Sequence, residues 1–334
     1  YASLGSGDRV LTFSEEGHGA GWPAAPYPAE IAVRPQSGQV AVIRRGTGTL
    51  GLYDQYGQVR DTYAIGRDAR GLAVDEPTGR AYAGGTIVDL HSGDTSDVSV
   101  STGLGGQQAP IKVVLDTRRD RAYGVVYNGV PGSNGGNVVR ELGLDPTAQS
   151  ASPFGRLSVA DALYDAGMDR FYTTWVRWGS YGLQVVDAES GQELYDLSLG
   201  SRPAAMILNP VTRHLWIALE SLDAAGEARQ ILRAYDTPSM AVVIELPLPA
   251  PINVLAPDAR NSRIYLGSDA DSAIFVVQDT AMAPPVEAKA LPTATARPLA
   301  QPKPTPTCAT LVDEAFGQAW QSAGGAVALG CALG

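Results

Sequence analysis

The sequence predicts an all-β fold built as a β-propeller of six blades, and three observations lead to that prediction. An apolar strand, a tight polar turn and a second apolar strand recur along the chain at intervals of 41 to 49 residues. That spacing is typical of propeller blades made of several short strands. Glycine (38 residues) and proline (23) are abundant while helical periodicity is scarce, as expected of a turn-rich β protein. The turns of the six copies begin at Arg34, Asp75, Asp116, Asp165, Asn209 and Pro257.

Each copy predicts the same strands in the same order. The first strand is apolar on both faces, which is typical of a strand close to a crowded central axis. The turn carries Asp or Asn in most copies, and these side chains bond to the local backbone, so Asp75, Asp116 and Asp165 are interpreted as turn formers. The second strand alternates, and third and fourth strands follow in most copies. Four strands per repeat, arranged radially, make a β-propeller.

The N-terminal strand Arg9–Phe13 precedes the first full repeat. Propellers are commonly closed by an N-terminal strand that joins the last blade, so we expect it to be the outer strand of the blade that begins at Ile252. This arrangement gives six blades. Seven blades are the alternative, which requires a further repeat in residues 145–160 or 279–300.

The repeat has a recognisable motif in its second copy, Leu72-Ala73-Val74-Asp75-Glu76-Pro77-Thr78-Gly79-Arg80-Ala81-Tyr82. This motif resembles the YVTN and NHL-like β-propeller repeats of secreted bacterial proteins. The resemblance covers roughly residues 8–282 and implies a propeller in an exported protein. It says little about function, because one propeller fold hosts many functions.

The composition changes after the propeller, which we place at residues 1–282. Residues 283–307 are rich in Pro and Thr and predict an extended linker. Residues 308–334 predict a small helical module with one apolar face, because six apolar residues fall at helical spacing: Leu311, Val312, Ala315, Phe316, Ala319 and Trp320. A Cys308–Cys331 disulfide would staple this piece, which is too short to hold a core alone.

The end of the chain also resembles a known module. The pattern of Cys308, Phe316, Trp320 and then Leu329-Gly330-Cys331 resembles the short Leu-Gly-Cys-Pro modules that follow such linkers in exported proteins of the Chloroflexota. Ala332 stands where that module has proline. The resemblance covers only the tail and implies export without any catalytic residue.

Charge and hydropathy limit the partners and the location. The net charge of −10 argues against nucleic acid and anionic membranes as partners. The chain has no run of 18 apolar residues, so we expect no transmembrane helix. It begins at Tyr1 without a charged and then apolar leader, and we interpret it as a mature chain whose signal peptide has been removed. The expected location is secreted or at the cell surface.

Residues with catalytic potential are sparse. The three histidines, His18, His91 and His214, form no pair at metal-ligand spacing. The sequence has no Asp-x-Asp-x-Asp-Gly calcium loop and no Gly-x-Ser-x-Gly elbow leading into a helix. We therefore predict no catalytic residue, no metal site and no cofactor.

The candidate interaction face is formed by loops. Three consecutive blades have enlarged loops between their second and third strands, at residues 128–136, 177–180 and 221–229, and the connector 14–29 lies on the same face. We predict a ligand or partner face there. The alternative is ordinary loop variation, in which the tryptophans pack against blade edges. The residues predicted for this face are Trp22, Tyr127, Asn128, Trp175, Arg177, Trp178 and Tyr181.

The function that these observations favour is a non-catalytic binding or structural module at the cell surface. Its partner is expected to be a protein, or a second copy of the chain bound through the C-terminal tail. Two alternatives stay open. One is a metal-dependent hydrolase or lactonase of the six-bladed type, which requires a divalent ion on the axis. The other is a carbohydrate-binding propeller that uses the aromatic loop of the fourth blade and takes a glycan as its partner.

Overall fold

The computed structural model describes residues 2–4, 9–13, 19–24, 27–98, 100–101, 107–128, 136–142, 158–222, 228–268 and 273–280. Every regular element within these ranges is a β-strand. This part of the chain has no helix that is long and apolar enough to cross a membrane. Tyr1–Ala281 form one compact unit. Cys308, Cys331, the linker and the C-terminal module lie outside the described residues, so the predictions made for them stay predictions.

The first strands make an N-terminal sheet and two four-stranded sheets, which are blades 1 and 2. The N-terminal sheet has β1 (Ala2–Leu4), β2 (Arg9–Phe13) and β3 (Gly19–Pro23). Blade 1 has β4 (Pro28–Arg34), β5 (Gln39–Arg44), β6 (Thr49–Tyr53) and β7 (Val59–Ala64). Blade 2 has β8 (Leu72–Asp75), β9 (Arg80–Ala83), β10 (Thr86–Asp89) and β11 (Thr95–Asp97).

The remaining strands form a short hairpin and blades 3 to 6. The hairpin has β12 (Val100–Ser101) and β13 (Gln107–Gln108). Blade 3 has β14 (Lys112–Asp116), β15 (Arg121–Asn128) and β16 (Gly136–Glu141). Blade 4 has β17 (Val159–Asp165), β18 (Arg170–Arg177), β19 (Ser180–Asp187) and β20 (Glu193–Ser198). Blade 5 has β21 (Arg202–Asn209), β22 (His214–Leu222), β23 (Ala228–Asp236) and β24 (Val242–Pro247). Blade 6 has β25 (Val254–Asp258), β26 (Arg263–Ser268) and β27 (Ala273–Gln278).

The six repeats form six blades, as the sequence predicts. Consecutive strands within each blade pair antiparallel. The first strands of successive blades, β4, β8, β14, β17, β21 and β25, lie side by side in chain order. The all-β propeller prediction is therefore confirmed. Turns between the first and second and between the third and fourth strands mark the lower face, and the other connections mark the upper face.

The prediction for Arg9–Phe13 is wrong. This strand pairs with β1 and β3 and joins no described strand of blade 6. Pairing with the neighbouring strands β1 and β3 closes only short loops. Pairing with blade 6, more than 200 residues away, would close a much longer loop at a larger entropy cost. β1 lies against β4, so the N-terminal sheet occupies the next place in the series beside blade 1.

Apolar clusters join neighbouring sheets. Val10 and Trp22 of the N-terminal sheet pack on blade 1, and equivalent clusters join blades 1 and 2, 2 and 3, 3 and 4, 4 and 5, and 5 and 6. Within the described residues, six clusters thus connect seven sheets. A strand in such a stack buries both faces, because its alternate residues reach opposite neighbours.

The lower-face turns confirm the role predicted for their aspartates and add one that the sequence did not reveal. Asp165 Oδ1 accepts a hydrogen bond from the Gly167 amide at 2.8 Å. Its carboxylate also pairs with Arg213 of the next blade. Arg119 in turn bridges Asp116 of its own turn (2.9 Å) and Asp169 of blade 4 (2.5 Å). The turn formers therefore also connect the blades.

Candidate binding surface on the upper face

The hairpins made by the second and third strands are tallest in blades 3 to 5. Their strands have 8 and 6, 8 and 8, and 9 and 9 residues. The equivalent strands have 6 and 5 residues in blade 1, 4 and 4 in blade 2, and 6 and 6 in blade 6. Three additional residues raise a hairpin tip by roughly 10 Å. We call the described residues of these three hairpins the upper wall, which comprises 121–128, 136–141, 170–187, 214–222 and 228–236.

The predicted loop of blade 4 is a tight turn at the end of a long hairpin. Arg177 pairs with Ser180, and only Trp178 and Gly179 connect the strands. Their φ angles of 47° and 78° define a type I′ turn. The enlarged loop expected at residues 177–180 is therefore wrong in form, because the strand pairing continues to the last residue before the turn.

Trp178 is the most exposed large apolar side chain of the described residues, with 77% of its surface accessible. The Arg177 guanidinium lies 4.2 Å from the centroid of its ring, which is a cation–π contact. A bulky residue at positive φ is a conformational outlier, and type I′ turns favour Asn, Asp or Gly there. Strain of this kind concentrates at functional sites. The turn thus carries a Trp at a position where Asn, Asp or Gly would make the turn more stable.

The other predicted face residues divide between the surface and the interior. Tyr127 on the neighbouring hairpin is 46% exposed, and the side chain of Asn128 lies outside the described residues. Trp175 is half-buried over Gly182, where an added Cβ would lie 2.2 Å from its ring. Tyr181 packs against the cluster between blades 4 and 5.

Trp22 has a packing role instead of a place on the surface. It is 8% exposed, and its ring centroid lies 4.6 Å from that of Tyr53 in blade 1. This is the blade-edge packing that the sequence offered as the alternative. The structure therefore brings together Arg177 and Trp178, places Tyr127 on the adjacent hairpin, and uses Trp22, Trp175 and Tyr181 at least partly for packing.

Sequence reasoning missed one exposed aromatic residue on the upper face. Tyr27, just before β4, is 63% exposed and has a φ of 56°. Its carbonyl accepts a hydrogen bond from the Arg45 amide at 3.1 Å. Because Pro28 follows it, the local rule predicts an extended backbone at Tyr27. The sequence therefore could not predict the left-handed conformation, although it did show an aromatic residue directly before a proline.

Two carboxylates on the first strands bind the backbone of the next blade. Glu30 accepts hydrogen bonds from the Gly71 and Leu72 amides, both at 2.8 Å. Asp161 accepts one from the Met206 amide at 3.0 Å and pairs with Lys112. Both side chains connect blades near the upper end of the axis. In the part of the chain that the structure describes, no group of three or more His, Cys, Asp or Glu residues could hold a metal ion.

The upper face also has a cleft of about 300 Å³, which is lined by the connector from blade 1 to blade 2, by blade 2 and by Ala109. Its charged and polar lining residues are Arg67, Asp68, Thr86 and Asp97. The volume is at the lower end of the range for small-molecule sites. Its lining is mixed, since Ile65, Ala69 and Ala109 lie beside these polar residues, and it contains no aromatic side chain, so the upper wall is the stronger candidate.

No protein-family model matches the sequence, and no curated protein matches it. Solved structures are nevertheless similar in fold. Hydrazine synthase of Kuenenia stuttgartiensis has a TM-score of 0.62 at 13% identity, over 83% of this chain and 91% of that chain. A chain of the mitotic checkpoint complex has a TM-score of 0.58 at 11% identity, over 81% and 84%. The dihydro-heme d1 dehydrogenase NirN, in complex with DHE, has a TM-score of 0.56 at 15% identity, over 82% of this chain and 60% of NirN. At these identities the similarity shows the propeller fold alone.

Proposed function

We propose that this chain is an exported, non-catalytic β-propeller that works as a protein-binding module at the cell surface. It contacts its partner through the upper wall. The observation that carries the proposal is Trp178, which stands 77% exposed at the tip of the blade 4 hairpin in a left-handed conformation. Export and the surface location rest on the sequence, through the resemblance of its repeats to those of secreted bacterial propellers and through the Pro/Thr-rich linker.

The composition of the wall supports a protein partner. Trp, Tyr and Arg are the residues most enriched among binding hot spots, and Tyr127, Arg177 and Trp178 lie on adjacent hairpins. The guanidinium stacked at 4.2 Å restricts the indole before binding. Pre-ordering of this kind reduces the entropy lost when an interface forms. Most of the indole surface, 77%, remains accessible to a partner.

Photo-crosslinking in the organism that makes the protein tests this proposal. Benzoyl-phenylalanine placed at position 178 should give a discrete crosslinked adduct. The matched control is the same label at Tyr56, which is 74% exposed in a turn on the lower face. The mass of the adduct distinguishes a second copy of the chain from another protein. An adduct yield at position 178 no higher than at position 56 would refute the proposal.

The exposed indole also favours a second candidate, which is carbohydrate binding by stacking. Glycan-array signals that a Trp178→Ala variant loses, in the absence of a protein adduct, would establish that candidate in place of the first. The hydrolase alternative has its own measurement. Elemental analysis that finds a stoichiometric divalent ion, together with lactonase activity that depends on it, would replace both binding proposals.

A further inference from the structure

Blade 6 has a face that is built for packing but is exposed. The residues of blades 5 and 6 can be matched by the turns on the lower face. Arg213 in blade 5 and Ser262 in blade 6 both precede the second strand and both have a left-handed conformation (φ 64° and 50°). The carbonyls of these two residues also accept equivalent hydrogen bonds, from the Thr237 and Asp279 amides. The alignment therefore identifies, position by position, which residues of blade 6 point away from blade 5.

The equivalent positions differ sharply in burial. In blade 5, five residues of the face toward the next blade are at most 9% exposed, and they are Ala205, Trp216, Ala218, Leu232 and Ala234. The corresponding residues of blade 6 are Val254, Tyr265, Gly267, Ile274 and Val276. Of these, Val254 is 54% exposed, Ile274 38% and Val276 53%. We call these five residues the free face of blade 6.

The N-terminal sheet at the other end of the series also has a free face. Val10 (0% exposed) and Trp22 (8%) point toward blade 1. Arg9, Gly21 and Pro23, which alternate with them along β2 and β3, are exposed. β1 lies beside β4 as each first strand lies beside the next. Among the described sheets, these are the two ends of the stack.

We propose that the free face of blade 6 is the seat of the N-terminal sheet of the same chain. The two ends of the stack meet there and close the ring without sharing a strand. Closure removes Val254, Ile274 and Val276 from water, and burial of apolar surface drives the contact. The same chain is favoured over a second copy because tethering supplies the N-terminal sheet at a high effective concentration. This inference does not depend on the proposed binding function, since the upper wall lies on blades 3 to 5.

Crosslinking tests the contact directly. The experiment uses the full chain, in which Cys308→Ser and Cys331→Ser remove the native cysteines. Arg9→Cys and Ile274→Cys are then introduced. The protein is treated with a bis-maleimide that spans about 10 Å, which is the spacing of stacked sheets. The control pairs Arg9→Cys with Leu194→Cys, because Leu194 on blade 4 is 37% exposed and matches Ile274 at 38%. We expect at least a tenfold excess of crosslinks within one chain for the first pair. Equal yields, or crosslinks between chains only, would overturn the proposal.

A substitution tests the burial in an independent way. Val276→Asp should lower the melting temperature by roughly 5 °C, because closure would bury an unpaired carboxylate. Val242→Asp is the matched control, since Val242 is 51% exposed and Val276 53%. The control should change the melting temperature by no more than about 1 °C. Equal shifts would show that the free face stays in water. A difference that grows with protein concentration would assign the face to a second copy, and this too would overturn the proposal.

Discussion

Blades 5 and 6 have the same alternation of apolar residues, yet only one of them buries it. Leu232 and Ala234 on β23 are fully buried, whereas Ile274 and Val276 at the equivalent positions of β27 are 38% and 53% exposed. The difference lies in the neighbour and not in the strand, because blade 6 covers blade 5. Alternation in a strand thus indicates which face is suited to packing, and the neighbouring sheet determines whether that face is packed.

The joint between these two blades also has a polar component. Asp279, which follows β27, is fully buried and accepts hydrogen bonds from four side chains of blade 5. The donors are Asn209 Nδ2 (2.7 Å), Thr212 Oγ1 (2.6 Å), His214 Nδ1 (2.6 Å) and Trp216 Nε1 (3.0 Å). A buried charge is tolerated when it is hydrogen-bonded throughout. Blade 6 is therefore held strongly on the side facing blade 5.

The largest expected effect separates the face of blade 5 that blade 6 covers from the free face of blade 6. Trp216→Ala should cost about 4 kcal/mol of unfolding free energy, because it leaves a cavity and removes a hydrogen bond to Asp279. Tyr265→Ala, at the equivalent position of the free face, should cost about 1 kcal/mol if that face stays open. Denaturant unfolding measures both. The proposed ring closure predicts a cost above about 3 kcal/mol for Tyr265→Ala, and a cost near 1 kcal/mol would contradict it.

The next effect concerns the buried carboxylate. Asp279→Asn keeps the shape but presents an amide to several donors, so we expect a loss of about 2–3 kcal/mol. The control is Asp236→Asn, because Asp236 at the end of β23 accepts hydrogen bonds from Ser239 in an exposed turn. Its loss should be about 1 kcal/mol or less. Equal losses in chemical unfolding would show that Asp279 is not the main polar connection between the blades.

The fold could be predicted from the sequence because it is encoded repeatedly. Six copies of one turn pattern give the blades, and Asp116 and Asp165 bond to the backbone of their own turns as predicted. The wrong strand assignment at Arg9–Phe13 concerns a single element without a repeat to guide it. Cross-blade bonds such as Arg119 to Asp169 join residues 50 positions apart, and no local pattern reports them.

The candidate site was only partly predictable, because the sequence does not report contacts between distant residues. Arg177, Trp178 and Tyr127 were identified by residue type, but exposure depends on how far each hairpin extends. Trp22 and Trp175 have the same chemistry and are packed against Tyr53 and Gly182. Composition does not distinguish an aromatic residue that stabilises a sheet from one that is presented to a partner.

The joint between blades 3 and 4 is sensitive to acid. Hydrogen bonds from Arg119 lower the pKa of Asp169 to about 2, from an ordinary value of 3.8. A lowered pKa in the folded state stabilises the protein above pH 4, and the stabilisation is lost as the pH falls toward 2. Asp169→Asn should cost about 1–2 kcal/mol at pH 7, after allowance for solvent screening, and almost nothing near pH 2.

Urea unfolding at pH 7, 4 and 2.5 measures this convergence. Asp120→Asn is the control, because Asp120 is 59% exposed and lies 3.6 Å from Arg80. Its effect should be small at every pH. A cost for Asp169→Asn that stays constant with pH would show that the lowered pKa contributes nothing to the joint between blades 3 and 4.

The smallest effect sharpens the contrast between residues that stabilise the propeller and residues that it presents. Trp178→Asn should raise the unfolding free energy by about 0.5–1 kcal/mol, because Asn-Gly is the favoured pair for a type I′ turn. Gly179→Ala is the control and should lower it by about 1 kcal/mol, since position 179 has a φ of 78°. A gain in stability combined with loss of the crosslinked partner would mean that the indole is retained for binding. A loss of stability in Trp178→Asn would mean instead that the stacked Arg177 and Trp178 pair supports the hairpin, and the proposed function would lose the observation on which it depends.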